Sequence, residues 1–176
     1  MRPVPFSLTS TAFKDGSAIP RRFSCDGENV SPDLAWEGAP EGTKALVLTV
    51  IDPDARDFVH WLVYDMNGSP SGGLPLAISG SPDAPPQGTN SFGKRGYGGP
   101  CPPSGTHHYR FTLSALDKVL VLTGAPRIDA LRAAIAGHVL AEAILTGTYH
   151  RSRSVRSRGG AGGHPPAGAG RRAVVR

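Results

Sequence analysis

The stretch "IDPDARDFVHWLVYDM", residues 51–66, sets two carboxylates and an imidazole among apolar neighbours. Asp52 closes a run of aliphatic residues, Asp54 follows two residues on, and His60 lies between Val59 and Trp61. An ionised carboxylate at the end of an apolar strand is costly unless it is paired or hydrogen-bonded. A histidine is its natural partner, and one that titrates in the physiological range. A second stretch, "GYGGPCPPSGTHHY" (96–109), ends in His107 and Tyr109. Gly98 and Gly99 permit close backbone approach to a ligand, while Pro100, Pro102 and Pro103 stiffen the remainder of the loop. Backbone N–H groups, imidazole and phenol can all donate to an oxyanion. Capture of a phosphate-like anion is therefore the first chemistry to consider. An acid–base pair of Asp52 with His60 or His107, working in a hydrolase or phosphotransfer enzyme, is the second.

The enzyme reading lacks an activated nucleophile. There is no G-x-S-x-G elbow, and Cys101 would be nucleophilic only if a histidine reached it. A metal reading from Asp52, Asp54, His60 and His107 suits zinc or manganese by ligand type, but the spacing matches no standard metal motif. No metal and no cofactor is expected.

These side chains can meet only if the strands that carry them are neighbours. "KALVLTVID" (44–52) is a strand with Leu46, Leu48, Val50 and Asp52 on one face and Ala45, Val47, Thr49 and Ile51 on the other. Both faces are apolar, which places it centrally in its sheet. "FVHWLVYDM" (58–66) is a second strand, and simple alternation puts Phe58, His60, Leu62 and Tyr64 together. "HHYRFTLSALD" (107–117) is a third, with His107, Tyr109, Phe111 and Leu113 aligned. "VLVL" (119–122) reads as a further paired segment. Residues 67–105 are rich in Gly, Pro, Ser and Asn and read as a long functional or partly mobile loop. Ile128, Leu131, Ile135, Val139, Leu140 and Ile144 recur at helical spacing, so one helix is expected over 128–145, with Asp129 near its start and Gly147 as its stop.

The 176 residues include 23 Gly and 17 Pro, which favours short strands and many turns in a single domain. The net charge of +5 is unevenly spread. Residues 151–176 hold seven Arg and no acid, which leaves 12 basic against 14 acidic side chains elsewhere. This divides the chain into a domain over 1–151 and a basic Arg/Gly/Pro-rich tail over 152–176. The tail is expected to be a disordered, solvated extension. Its Arg-Ser and Arg-Gly-Gly content could meet nucleic acid, but the absence of interleaved aromatics weighs against that. The start has no apolar leader and no run approaches a membrane span, so the expectation is a cytoplasmic protein that is not an integral membrane protein. Two cysteines, Cys25 and Cys101, are either free thiols or a pair that oxidises.

Taken in order, "DPDA", "VHW" and "GYGGPCPPSGTHHY" resemble the phosphatidylethanolamine-binding protein family, and in particular its bacterial Raf-kinase-inhibitor-like branch. "IPRRFSCDGENVSPDLAW" and "GHVLAEAILTGTY" fit as well, so the resemblance spans about residues 6–151. It implies a mainly β fold, an antiparallel Greek-key β-sandwich with one late helix. It implies a ligand pocket built from Asp52, His60, Gly99, Pro100, His107 and Tyr109, with Asp54 either joining it or bracing the turn. The implied partners are a phosphorylated small molecule, a lipid headgroup or a phosphorylated protein. Regulation of a kinase or another signalling partner, or inhibition of a peptidase, belongs to the same range. Arg56 stands where the family pattern has proline. A homodimer through an exposed strand edge is also compatible with the fold.

Overall fold

The computed structural model describes residues 2–152. The expected disordered tail beyond Ser152 lies outside the described residues. Among the described residues there are seven strands: β1 (Ser7–Thr9), β2 (Leu34–Glu37), β3 (Ala45–Asp52), β4 (Phe58–Asn67), β5 (Gly72–Leu74), β6 (Thr106–Leu116) and β7 (Val139–His150). They form two antiparallel sheets, one ordered β1-β2-β5 and the other β4-β3-β6-β7. After the β3–β4 hairpin the chain crosses to the small sheet as β5. It then returns as β6 to pair with β3 on the side away from β4, a Greek-key return.

The two apolar faces of β3 meet different partners. Leu46, Leu48 and Val50 pack with Leu8, Leu34, Trp36 and Leu74 of the small sheet, and with Phe111 and Leu113 of β6. Val47 points the other way, toward Leu62, Tyr64 and the helical Leu131. A strand covered on both sides needs apolar residues on both, which is why β3 lacks polar alternation until Asp52.

The expected helix is shorter than its apolar stripe. Helix α1 covers Ile128–Ile135 and ends at Gly137, whose φ of +79° breaks the helical path. Residues from Val139 on form β7. Ala143, Leu145, Gly147 and Tyr149 face inward with a period of two, while Val139, Leu140 and Ile144 are exposed. The i, i+3, i+4 recurrence that linked Ile135 to Ile144 was therefore a coincidence of two patterns. Gly147 is not a helix stop. A Cβ there would lie 2.8 Å from Phe13 Cε2 and would also collide with Ile19, so the glycine admits the packed N-terminal segment. "VLVL" (119–122) forms no strand: Val119 and Val121 are exposed, and Leu120 N–H donates to Asp65 Oδ1 at 2.8 Å.

The long segment after β4 contains β5 and a short 3-10 turn at Ile78–Gly80 and is otherwise irregular, yet buried amides fasten it. Gln87 Oε1 accepts from Trp61 Nε1 at 2.7 Å and from Ser79 Oγ at 2.6 Å. Asn90 donates to Gly96 O and accepts from the N–H groups of Phe92 and Lys94. These bonds replace the sheet ladder that irregular backbone lacks. Cys25 and Cys101 are joined in a disulfide, which settles the alternative left open by their number.

Candidate anion-binding pocket at the end of the sandwich

Strand directions bring four chain ends to one edge of the larger sheet. Asp52 pairs with Phe58, Thr106 pairs with His150, and Ile51 pairs with Arg110, so Asp52 and Tyr109 follow at the open end of the ladder. A cavity of about 180 Å³ opens there, walled by Asp52, His60, His107 and Tyr109 on the polar side and by Phe58, Phe92, Pro102 and Pro103 among its apolar residues.

Asp52 is buried at 2% exposure, and both of its oxygens are engaged. Oδ1 accepts from the N–H groups of Asp54 (2.9 Å) and Ala55 (3.2 Å), capping the short 3-10 turn Pro53–Ala55. Oδ2 lies 2.6 Å from His107 Nδ1. A carboxylate can only accept, so the Nδ1 hydrogen is on His107 and its Nε2 remains for a ligand. Asp52 thus sets the orientation of an imidazole, as aspartate–histidine pairs commonly do.

His60 reaches this cavity by a register irregularity. Val50 pairs with Trp61 and Ile51 with Val59, so two residues of β4 advance against one of β3. This bulge breaks the alternation that would have grouped His60 with Leu62 and Tyr64. Those two pack under α1, whereas His60 meets Tyr109 edge to face at 5.1 Å. His60 Nδ1 donates to Gly98 O at 2.7 Å. Burial holds the His60 pKa below its ordinary value of 6.5, outweighing the Gly98 carbonyl and the Asp52 charge. The unfolded chain therefore takes up this proton before the native protein does. Stability contributed by neutral His60 is complete above about pH 6.5 and is lost as pH falls below it. A urea titration across pH 7.5 to 5 should show that loss, with a shallower slope in His60→Gln; equal slopes would remove His60 as its source.

Tyr109 is the unsatisfied member. Its Oη is buried and has no hydrogen-bond partner among the described residues. Burial first, and the Asp52 charge second, push its pKa well above the ordinary tyrosine range, so it remains a donor. Phe58, His60 and Phe92 form an aromatic rim, with Phe58 and Phe92 centroids 4.7 Å apart and Phe92 45% exposed.

Three residues named from the sequence play other parts. Asp54 accepts from His108 Nδ1 and His108 N, each at 2.8 Å, outside the cavity. That contact lowers its pKa and braces the turn. Gly99 N–H is committed to Asn29 Oδ1 at 2.8 Å, and the space a side chain would need is filled by Phe23, Ser24 and Asn29. Its glycine serves packing between loops rather than ligand approach. Pro100 O accepts from Cys25 N and also faces that junction. Arg56 has φ +54°, a conformation the proline ring forbids, and forms no ion pair with Asp57 among the described residues. Phe92, Pro102 and Pro103 were missed as pocket residues. An aromatic in the Gly-rich "SFGKRGYGG" was the available signal. Among the described residues no group of three His, Cys, Asp or Glu is assembled for a metal, and no helix is long and apolar enough to cross a membrane.

A family model for phosphatidylethanolamine-binding protein matches residues 9–150. The chain belongs to the phosphatidylethanolamine-binding protein family. A UPF0098 protein of Methanothermobacter thermautotrophicus is 46% identical over 151 residues, covering 82% of this chain and 99% of that one. Among solved structures, a phosphatidylethanolamine-binding protein homologue from Chlamydia trachomatis superposes with a TM-score of 0.77 at 38% identity, covering 84% of this chain and 98% of that one. E. coli YbcL, described as a member of the mammalian family, gives 0.76 at 32%, covering 84% and 99%. The family assignment spans all four polar pocket residues and the loop that carries Cys101.

Proposed function

We propose that this chain is a binding module whose cavity takes a small oxyanion, either free phosphate or the phosphoryl group of a headgroup or a phosphorylated side chain. The carrying observation is Tyr109 Oη, a buried donor that finds no acceptor among the described residues, in the wall of a cavity that also presents His60 and His107. Burying an unpaired hydroxyl costs roughly 1–3 kcal/mol, which an incoming oxygen would recover. The volume of about 180 Å³ favours one small group over a whole lipid or nucleotide, since drug-sized ligands fill roughly 300 Å³ or more. The aromatic rim would meet whatever apolar substituent the anion carries. A signalling partner would be recognised through a phosphorylated residue entering this same cavity.

Among the described residues no lysine or arginine lines the cavity, so within them the charge balance for an anion falls to the imidazoles. His60 is held toward its neutral form before binding. An anion favours the protonated ring, so binding takes up a proton and affinity rises as pH falls from 8 to 6. Titration calorimetry with sulfate, an oxyanion that does not itself titrate in this range, in two buffers of different ionisation enthalpy measures this uptake; no uptake and a flat profile would refute it. Tyr109→Phe should weaken phosphate binding roughly tenfold while leaving stability unchanged or raising it by about 1 kcal/mol, because no native hydrogen bond is lost. Unaltered affinity in that variant would remove Tyr109 from the site.

A further inference from the structure

We propose that the Cys25–Cys101 disulfide is a redox-operated clamp on the pocket, so that reduction releases one wall and weakens ligand binding. The proposal rests on the anion-binding reading of the cavity. The disulfide joins the turn around Cys25 to the loop that supplies Cys101, Pro102 and Pro103 to the cavity wall.

The two sides of the bridge are anchored differently. The Cys25 turn is held without it: Ser24 Oγ donates to Tyr149 Oη at 2.8 Å, Tyr149 donates to Asp26 at 2.6 Å, and Arg151 pairs with Asp26 at 2.9 Å. The other loop is held as far as Pro100. Tyr97 Oη donates to Phe23 O, Gly98 N–H to His60 O and Gly99 N–H to Asn29. The sheet ladder begins at Thr106, the start of β6. Between them, residues 101–105 make no backbone hydrogen bond among the described residues. Two of the five are prolines, which have no N–H to offer. The disulfide is the covalent tie of this segment, which leads directly into Thr106 and His107. Breaking it restores chain entropy to the segment that shapes the pocket mouth.

Both cysteines are partly exposed, so an external thiolate can reach the bond. The co-reactant is a dithiol. One of its thiolates attacks a bridge sulfur, forming a mixed disulfide and expelling the other cysteine as thiolate. The second thiol of the reagent then displaces the bound cysteine. Two electrons and two protons end on Cys25 and Cys101, and the dithiol becomes a cyclic disulfide.

The test uses full-length protein in three states: oxidised, reduced with dithiothreitol that is then removed anaerobically, and reoxidised. Inorganic phosphate and phosphoethanolamine are each titrated by calorimetry, and backbone hydrogen exchange is followed without ligand. Affinity for at least one probe should fall fivefold or more on reduction and return on reoxidation. The Cys25→Ser/Cys101→Ser double variant should match the reduced state. Exchange should accelerate at Cys101 and Ser104–His108 while β3 stays protected. A smaller change in affinity overturns the clamp, and so does loss of protection in β3, which would make the bond a structural staple. Were neither probe bound in any state, the anion reading would fall. Exchange would then decide the clamp alone: local acceleration keeps it, and an unchanged pattern removes it.

Discussion

Asp52→Ala should destabilise the protein by about 3 kcal/mol and lower its melting temperature by roughly 10 °C, with phosphate binding lost. One substitution removes the acceptor for two turn N–H groups and the partner of His107 Nδ1. Loss of a cap is worth about 1 kcal/mol. The remainder comes from leaving a largely buried imidazole N–H unpaired, since the His107 side chain is only 14% exposed. Asp52→Asn separates the parts. Its side-chain oxygen can still cap the turn, so most of the stability should survive. It cannot orient His107 as a carboxylate does, so affinity should still fall roughly tenfold. Thermal unfolding and phosphate titration of both variants check this. If the alanine variant melts like the parent, Asp52 does not organise this end of the sandwich.

Gly99→Ala should cost about 3 kcal/mol, near the upper end of the usual range for overpacking. The added Cβ would collide with Phe23 O and lie 2.5 Å from Asn29 Oδ1 and 3.0 Å from Ser24 Cα. Phe23 and Ser24 are buried, and the neighbouring Cys25 is tied to the same loop by the disulfide, so neither side can yield easily. Displacing Gly99 also pulls on Gly98, whose carbonyl holds His60. Phosphate affinity should therefore fall with stability. Gly105→Ala is the control. Its Cβ meets nothing within 4 Å, but its φ is +69°, so a loss of only about 1 kcal/mol is expected. Chemical denaturation of both variants gives the comparison, and equal losses would contradict the packing account.

Asp52 and its neighbours were legible because burial of polar groups among aliphatic residues demands partners, and the strand signals were strong enough to imply where those partners lie. Burial and strand periodicity placed β3 centrally in a mainly β chain and named a histidine, His60 or His107, as partner for Asp52, while the sandwich followed from the family resemblance. Periodicity misled where one local pattern overlapped another. The apolar stripe over 128–144 satisfied helical spacing, yet Gly137 ends the helix and β7 follows with a period of two. The face of His60 depends on a bulge, and a single extra residue in a ladder leaves no compositional mark.

Residue type and short-range order are enough to read the fold class, the family and the identity of the groups available for chemistry. Folding then selects which groups are free. It committed Gly99 N–H to Asn29, turned Asp54 toward His108, closed Cys25 on Cys101 and, among the described residues, left Tyr109 Oη without an acceptor. A hydrogen-bond donor is spent or available according to what lies within about 3 Å of it, and at separations of tens of residues only the folded chain sets that distance.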